Sequence, residues 1–363
     1  MGQPIRNSTM KRIIHSVSNT KVYLYTLAIL AITVIGLTYY YCFSPMSKQQ
    51  DTVYLYIDED DDIDSVYVKI AAISNRHGRV GFGTLARHWD YDSNIKTGRY
   101  AVQPKQGAFE VLRHLRNGVQ EPINLTIPEV KTKERLAGFL GKKMMKDSTD
   151  FINFLNDSSI CARLGYTTQS IPALFIPNTY SIYWNTDIEA FIKRMVKEHE
   201  AFWKQQGRLQ KAKEMDMTTA EIATLASIID EETSNNGEKP MIAGMYLNRL
   251  RYSNAEYPNG MPLQADPTVK FAHQDFKLKR IYHKLLTIDS PYNTYKYPGL
   301  PPGPIKIASI QGIDAVLNHV SHNYLYMCAK EDFSGTHNFA ETYKEHINNA
   351  KRYTEALNKR GIH

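Results

Sequence analysis

Twenty-two consecutive residues, Val22 to Phe43, read VYLYTLAILAITVIGLTYYYCF and carry no charged side chain. As a helix rising about 1.5 Å per residue, such a run matches the roughly 30 Å hydrocarbon core of a bilayer, where only a helix or a closed barrel can satisfy its own backbone. Tyr23, Tyr25, Tyr39, Tyr40 and Tyr41 cluster at its ends as interfacial anchors. A cleaved signal peptide is the alternative. The run exceeds a usual h-region, however, and no small-residue A-x-A site follows it, which favours an uncleaved anchor.

The charges around that segment orient it. The chain has a formal charge of +7, and Arg6, Lys11, Arg12, Lys21 and Lys48 supply +5 before residue 51, where no acid occurs. The positive-inside rule puts residues 1–21 in the cytoplasm, residues 22–43 across the membrane and the rest outside, an arrangement expected of a single-pass protein of the cytoplasmic (inner) membrane with an extracytoplasmic, periplasmic domain. The remaining +2 is no basic patch, and the aromatic residues form no RNP-type motif, so nucleic acid is excluded as a partner. Cys42 lies in the apolar segment. Cys161 and Cys328 are left far apart in sequence, free to pair or not, and make neither a disulfide framework nor a zinc signature.

At 363 residues and 42% hydrophobic, the chain is long enough for two α+β domains. Residues 44–52 read as a linker. Residues 53–124 read as a small α+β module: a strand at Val53 to Ile57, a helical pattern from Val66 to Ile73, then a strand, turn and amphipathic helix within Lys96 to Gly118. Asp58, Asp60 and Asp62 suggest an EF-hand, but its sixth position would be Ile63 and its twelfth Lys69, where Gly and Glu are needed. The run is then a solvated loop capping the next helix. Residues 125–363 form the larger α+β domain, with helices around Thr132 to Met145 and Thr149 to Asn156, an extended segment Ile171 to Trp184 and a long helix after it. His199 and Glu200 lack the second histidine of H-E-x-x-H, Trp203 standing in its place. No metal or cofactor motif is found.

Chemistry concentrates after residue 218. Thr218 and Glu221 form a capping box that starts a helix, and Asn235 to Gly237 end it. Ile222, Leu225, Ile228 and Ile229 share a face with Glu232, while Asp230 and Glu231 are expected to turn toward water. Burial and the negative end of the helix dipole both raise the pKa of Glu232 toward values suited to proton donation near neutrality. The competing reading is an ordinary boundary residue of an amphipathic helix.

Three further segments supply polar groups. In MPLQADPT, an extended backbone would project Gln264, Asp266 and Thr268 from one side, toward sugar hydroxyls and acetamido groups; a hydrogen-bonded turn about Pro267 is the alternative. The loop YNTYKYPGLPPGPI, stiffened by proline, offers Asn293, Thr294 and Tyr295, with an Asn-turn as the competing reading. His337, in THNF, faces the same cleft or is structural.

Taken together, ASIIDEET, AGMYLNRLR, LQADPTV, SPYNTYKYPGLPPGPI and YLYMCAKEDFSGTHNF, with LTIPE and LFIPNTY upstream, resemble the endolytic murein transglycosylase (MltG, YceG-like) family. The resemblance implies a membrane anchor, a LysM-like module at 53–124 and a YceG-like catalytic domain at 125–363. It implies a lyase that cuts the β-1,4 bond between N-acetylmuramic acid (MurNAc) and N-acetylglucosamine (GlcNAc) inside peptidoglycan strands and leaves a 1,6-anhydro end, terminating or trimming nascent strands. Glu232 would be the catalytic acid; Gln264, Asp266, Thr268, Asn293, Tyr295 and His337 would bind substrate; no cofactor or metal is implied. Peptidoglycan synthases of the membrane are the implied partners. The chain departs from the family pattern at Asp230, at the insert Tyr252 to Gly260 and at Val130 after IPE. Two alternatives stand: a muramidase using Glu232 and Asp266, and a non-catalytic, membrane-anchored glycan-binding scaffold.

Overall fold

The computed structural model describes residues 7–278 and 280–360. Arg6 and the side chains of Lys11 and Arg12 lie outside that description, and with them most of the charge used to orient the apolar segment. The chain divides into two compact units, Met1–Ile123 with Tyr183–Asn185, and Asn124–Ile182 with Thr186–His363.

In the first unit, α1 (Asn7–Thr38) runs into a π-helical turn, Tyr39–Phe43. Its stretch Thr20–Phe43 is long and apolar enough to cross a membrane, and none of its most apolar part is buried in protein. Apolar side chains such as Leu24, Ile29 and Ile35, each more than 60% exposed, demand an apolar surrounding. Then follow β1 (Val53–Ile57), α2 (Ile63–Ile73), α3 (Arg76–His88), β2 (Gly98–Val102) and α4 (Ala108–Asn117). β1 and β2 pair antiparallel, Val53 opposite Val102 and Ile57 opposite Gly98. The period-two pattern turns Leu55, Ile57, Tyr100 and Val102 onto a core shared with Val66, Ile70, Phe82 and Leu112.

The acidic run behaves as a cap. Asp62 accepts the Ser65 N–H at 2.8 Å at the start of α2, and Asp61 pairs with Lys69. Gly118 closes α4 at φ 70°, the left-handed conformation that Gly tolerates. Residues 44–52, read from sequence as a linker, are instead built into this unit. Met46 is fully buried, its N–H bonds Gln106 O and its carbonyl accepts from Asn75 N. A single apolar side chain in a polar stretch gave no periodic signal.

The second unit contains β3 (Ile123–Thr126) from its second residue on, α5 (Lys133–Lys143), α6 (Ser148–Asn156), α7 (Ser158–Arg163), β4 (Thr179–Ile182), α8 (Ile188–Lys204) and α9 (Arg208–Glu214). β3 pairs with β4. Next come α10 (Thr219–Glu232), α11 (Lys239–Arg251), α12 (Asp266–Ala272), α13 (Ile310–Leu317), the hairpin β5 (Tyr326–Ala329) and β6 (His337–Ala340), and α14 (Tyr343–Lys359). Within Ile171 to Trp184 the extended reading holds only for β4, because Ile171–Leu174 is a 3₁₀ turn with Pro172 inside it. His199 is a core residue that bonds Tyr166 Oη and Leu174 O, and burial pulls its pKa down to about 4. Cys161 and Cys328 are free thiols.

α10 is the axis of this unit. Every residue from Ile222 to Ile229 is buried, and α9, α11, α12 and α13 all pack against the helix. Small residues at Ala223, Ala226 and Ser227 let the neighbours approach on faces that a surface helix would leave to water.

Candidate active site

Because α10 is enclosed, its three terminal acids each meet protein, and the expectation that Asp230 and Glu231 face water is corrected. The Asp230 side chain is 2% exposed and pairs with Lys239 Nζ at 2.7 Å. It also accepts from Ser309 N and Ser309 Oγ, both at 2.7 Å. Ser309 in turn caps α13 through the Gly312 N–H. A Cβ at Gly312 would stand 2.6 Å from Asp230 Oδ1, so the helix can approach only as glycine. Glu231 bonds Lys131 Nζ at 2.5 Å, with Lys306 4.0 Å away. These two acids tie α10 to α11, α13 and the 131 and 306 loops.

Glu232, the last residue of α10, opens on a cleft of about 290 Å³. Its Oε1 accepts from Tyr246 Oη at 2.7 Å. Its pKa is pushed up to about 7, chiefly by burial, with the negative charges of Asp266 and Glu231 adding to the rise. The Tyr246 hydrogen bond and the charge of Lys270 work against it. The residue is partly exposed through the cleft, while its carboxyl is desolvated by the protein around it. Tyr246 itself is 2% exposed, and burial followed by the Glu232 charge holds its phenol protonated far above its usual range. An acid near neutrality beside a phenol that stays a donor can give a proton and then be stabilised as a carboxylate.

The facing wall comes from 261–268 and 292–297. The extended reading of MPLQADPT is corrected: Asp266 opens α12, and Gln264 sits at φ 53°, so side chains do not alternate there. Gln264 N bonds Thr294 O at 3.0 Å, Ala265 N bonds Thr294 Oγ1 at 3.0 Å, and the hydroxyls of Thr268 and Thr294 are 2.8 Å apart. Thr268 also donates to Ala265 O at 2.7 Å. Asn293 gives its amide N–H groups to Leu286 O and Ile288 O, and its Oδ1 accepts from Tyr295 N. Thr268 and Asn293 are both 0% exposed and do not line the cleft. With their polar atoms spent on backbone and on each other, they brace the wall instead of touching a substrate, the role the turn readings gave them.

Gln264, Asp266, Tyr295 and His337 do line the cleft with Glu232. Tyr295 Oη donates to Asp266 Oδ1 at 2.6 Å. His337, the first residue of β6, gives its N–H to Glu238 Oε1 at 2.6 Å, and its Nδ1 lies 3.1 Å from Glu238 Oε2. Glu238 is 8% exposed, so this carboxylate fixes the imidazole and leaves Nε2 as its other edge. Sequence reasoning missed Tyr246, Arg249, Glu238 and His346. Tyr246 and Arg249 stand three apart on α11, so they share a face, and that spacing was the available signal. Glu238 had none, because its partner is 99 residues away.

Residues 55–352 match the YceG-like family. The chain belongs to the YceG-like family. An endolytic murein transglycosylase of Bacillus subtilis is 35% identical over 179 residues, 48% of this chain and 46% of that protein. An endolytic murein transglycosylase of Streptococcus pneumoniae is 27% identical over 311 residues, 77% of this chain and 54% of that protein. The chain thus spans about half the length of the curated relatives it matches. A crystal structure of a YceG-like protein from Listeria monocytogenes superposes with a TM-score of 0.51 at 26% identity, covering 83% of this chain and 99% of that one. Family membership agrees with the resemblance drawn from the helix, QADPT and THNF motifs.

Proposed function

We propose that the protein is an endolytic lytic transglycosylase of peptidoglycan. The observation that carries this reading is Glu232, a carboxyl with a pKa near 7 at the mouth of a cleft, hydrogen-bonded by Tyr246. Relatives of this chain are named endolytic murein transglycosylases, which supplies the substrate class. Protonated Glu232 gives its proton to the oxygen between MurNAc and GlcNAc as the bond to the MurNAc C1 breaks. The resulting carboxylate, held by Tyr246, takes the proton of the C6 hydroxyl while the C6 oxygen bonds C1. This closes the 1,6-anhydro ring and restores the acid. One group serves both steps, so its pKa must lie close to the working pH.

A second reading, a muramidase, has one observation in its favour: Asp266 shares the cleft and is close enough to raise the pKa of Glu232. Its Oδ1 is engaged by Tyr295, however, which favours a fixed electrostatic role over attack on C1. Product ends separate the two. Anhydro-muramyl termini support the lyase, and reducing termini sink it.

The apolar helix serves in this reading as an uncleaved anchor in the cytoplasmic membrane, with the residues after it outside. The β1-α2-α3-β2 module is read as a LysM-like glycan-binding unit, supported by its antiparallel two-stranded sheet flanking two helices. Cutting inside strands close to the membrane would release nascent glycan, next to the synthases that make it.

A further inference from the structure

Arg249 has no place in the reaction just described, yet it lines the same cleft and is only 6% exposed. Two of its three nitrogens are fixed by neutral acceptors. Nε donates to Leu325 O at 2.6 Å, and Nη1 donates to Pro262 O at 2.9 Å, Leu263 O at 2.8 Å and Gln264 Oε1 at 3.3 Å. Among the described residues, Nη2 has no acceptor and no carboxylate forms an ion pair with this guanidinium. Asp266, the other acid of the cleft besides Glu232, is engaged by Tyr295.

A guanidinium keeps its charge even where burial draws its pKa down, as it does here. A buried cation satisfied only by carbonyls lacks the counter-charge that normally accompanies one. The surroundings extend the feature along the hairpin side of the cleft. Arg249 lies over the Tyr326 ring, 5.4 Å from its centre, and Tyr326 stacks on His346 at 5.4 Å. His346 also lines the cleft, and its Nδ1 is buried without a partner among the described residues. The cleft therefore has an acidic side at Glu232 and Asp266 and a cationic, aromatic side at Arg249.

We propose that Arg249 is the anion-binding residue of the cleft and that it takes a carboxylate borne by the muramyl residue. This rests on the glycan-cleaving reading above. GlcNAc is neutral, so the anionic groups of a glycan strand sit on the muramyl substituent: the lactyl carboxylate where the stem peptide has been removed, or a carboxylate of the stem peptide where it is present. Recognition at Arg249 distinguishes muramyl-containing strands from neutral chitin-type strands of the same backbone, through a planar fork whose free nitrogen is already oriented by the bonds of the other two.

The test is binding to the full-length Glu232→Gln protein in detergent micelles, by calorimetry, with four tetrasaccharide probes. These are chitotetraose, the MurNAc–GlcNAc tetrasaccharide with free lactyl carboxylates, its lactyl methyl ester, and the same sugar carrying stem peptides. At least tenfold tighter binding of one carboxylate-bearing probe than of both chitotetraose and the ester is expected. The free acid binding tightest assigns the lactyl group, and the peptide-bearing sugar binding tightest assigns the stem. Arg249→Lys should keep part of that preference and Arg249→Met should abolish it. If Arg249→Met does not fold, the acid-against-ester comparison in the arginine protein decides. Equal affinities for acid, ester, peptide-bearing sugar and chitotetraose overturn the proposal. Should the parent chain still release anhydro ends, the lyase reading survives that result; failure to bind or cut any glycan overturns both.

Discussion

Tyr246→Phe removes one oxygen from the site and leaves the ring in its packing. In the parent chain that oxygen donates to Glu232 Oε1 at 2.7 Å and favours the ionised carboxyl, opposing the burial that raises its pKa to about 7. A hydrogen bond to a charged group is worth about 1.5–3 kcal/mol, and about 1.4 kcal/mol corresponds to one pH unit, so its loss should raise the pKa by roughly one to two units. In the proposed reaction the acid that starts cleavage is the protonated form. The alkaline limb of kcat/KM, expected near pH 7 in the parent, should therefore move to about pH 8 or above in Tyr246→Phe. The carboxylate of the second step loses its donor, so the maximal rate should drop at the same time. Glycan digestion across pH 5 to 10 with quantified soluble fragments reads both effects. An alkaline limb that stays in place or moves to lower pH would refute the assignment of Glu232 as the titrating acid.

Asp266→Asn should act with the opposite sign, because its negative charge helps to raise the Glu232 pKa; the alkaline limb of the same profile should shift toward acid, and an alkaline shift would count against the electrostatic role. Stability should follow the same titration. The folded-state pKa of Glu232, about 7, exceeds its ordinary 4.5, so its stabilising contribution is full below 4.5 and is lost as pH rises through 7. Glu232→Gln should accordingly gain about 3 kcal/mol relative to the parent between pH 4 and pH 9 in denaturant unfolding of the second unit, monitored at Trp203. Lys239→Met leaves Asp230 buried without its cation and should cost about 3–5 kcal/mol in the same experiment at pH 7. No loss there would mean that Ser309 alone satisfies the acid.

Local rules made much of this architecture readable. The uncharged run to Phe43, the Thr218 capping box, the period-two pattern of β1 and the αL glycine at 118 each involve residues within one turn or strand. Glu232 stood out because its helical phase sets it beside the apolar stripe; burial, with the charges of Asp266 and Glu231, is what raises its pKa. The same phase argument failed for Asp230, since one-faced amphipathicity assumes water on the far side and α10 has protein on all sides. The chain near Asp266 resisted for another reason. Proline at the second position of a helix and a left-handed Gln264 break alternation, and the bonds that hold that backbone come from Thr294, about 30 residues on. Thr268 looked like a ligand because an extended backbone would align it with Gln264 and Asp266, and Asn293 because a polar side chain in a proline-rich loop suits a cleft; both are fully buried and brace the wall. Glu238 depends on a contact with His337 that no spacing along the chain displays, and for Arg249 only the three-residue step from Tyr246 was visible, not the bonds to Leu325 and residues 262–264 that fix it.

In the proposed reaction Glu232 alone provides acid and base for an intramolecular cleavage. Mass analysis of fragments released from purified glycan strands by the parent chain and by Glu232→Gln tests it most directly. 1,6-Anhydro-muramyl ends are expected from the parent, and a rate at least about a hundredfold lower from Glu232→Gln. Reducing muramyl ends from the parent, or undiminished cleavage by Glu232→Gln, would contradict it.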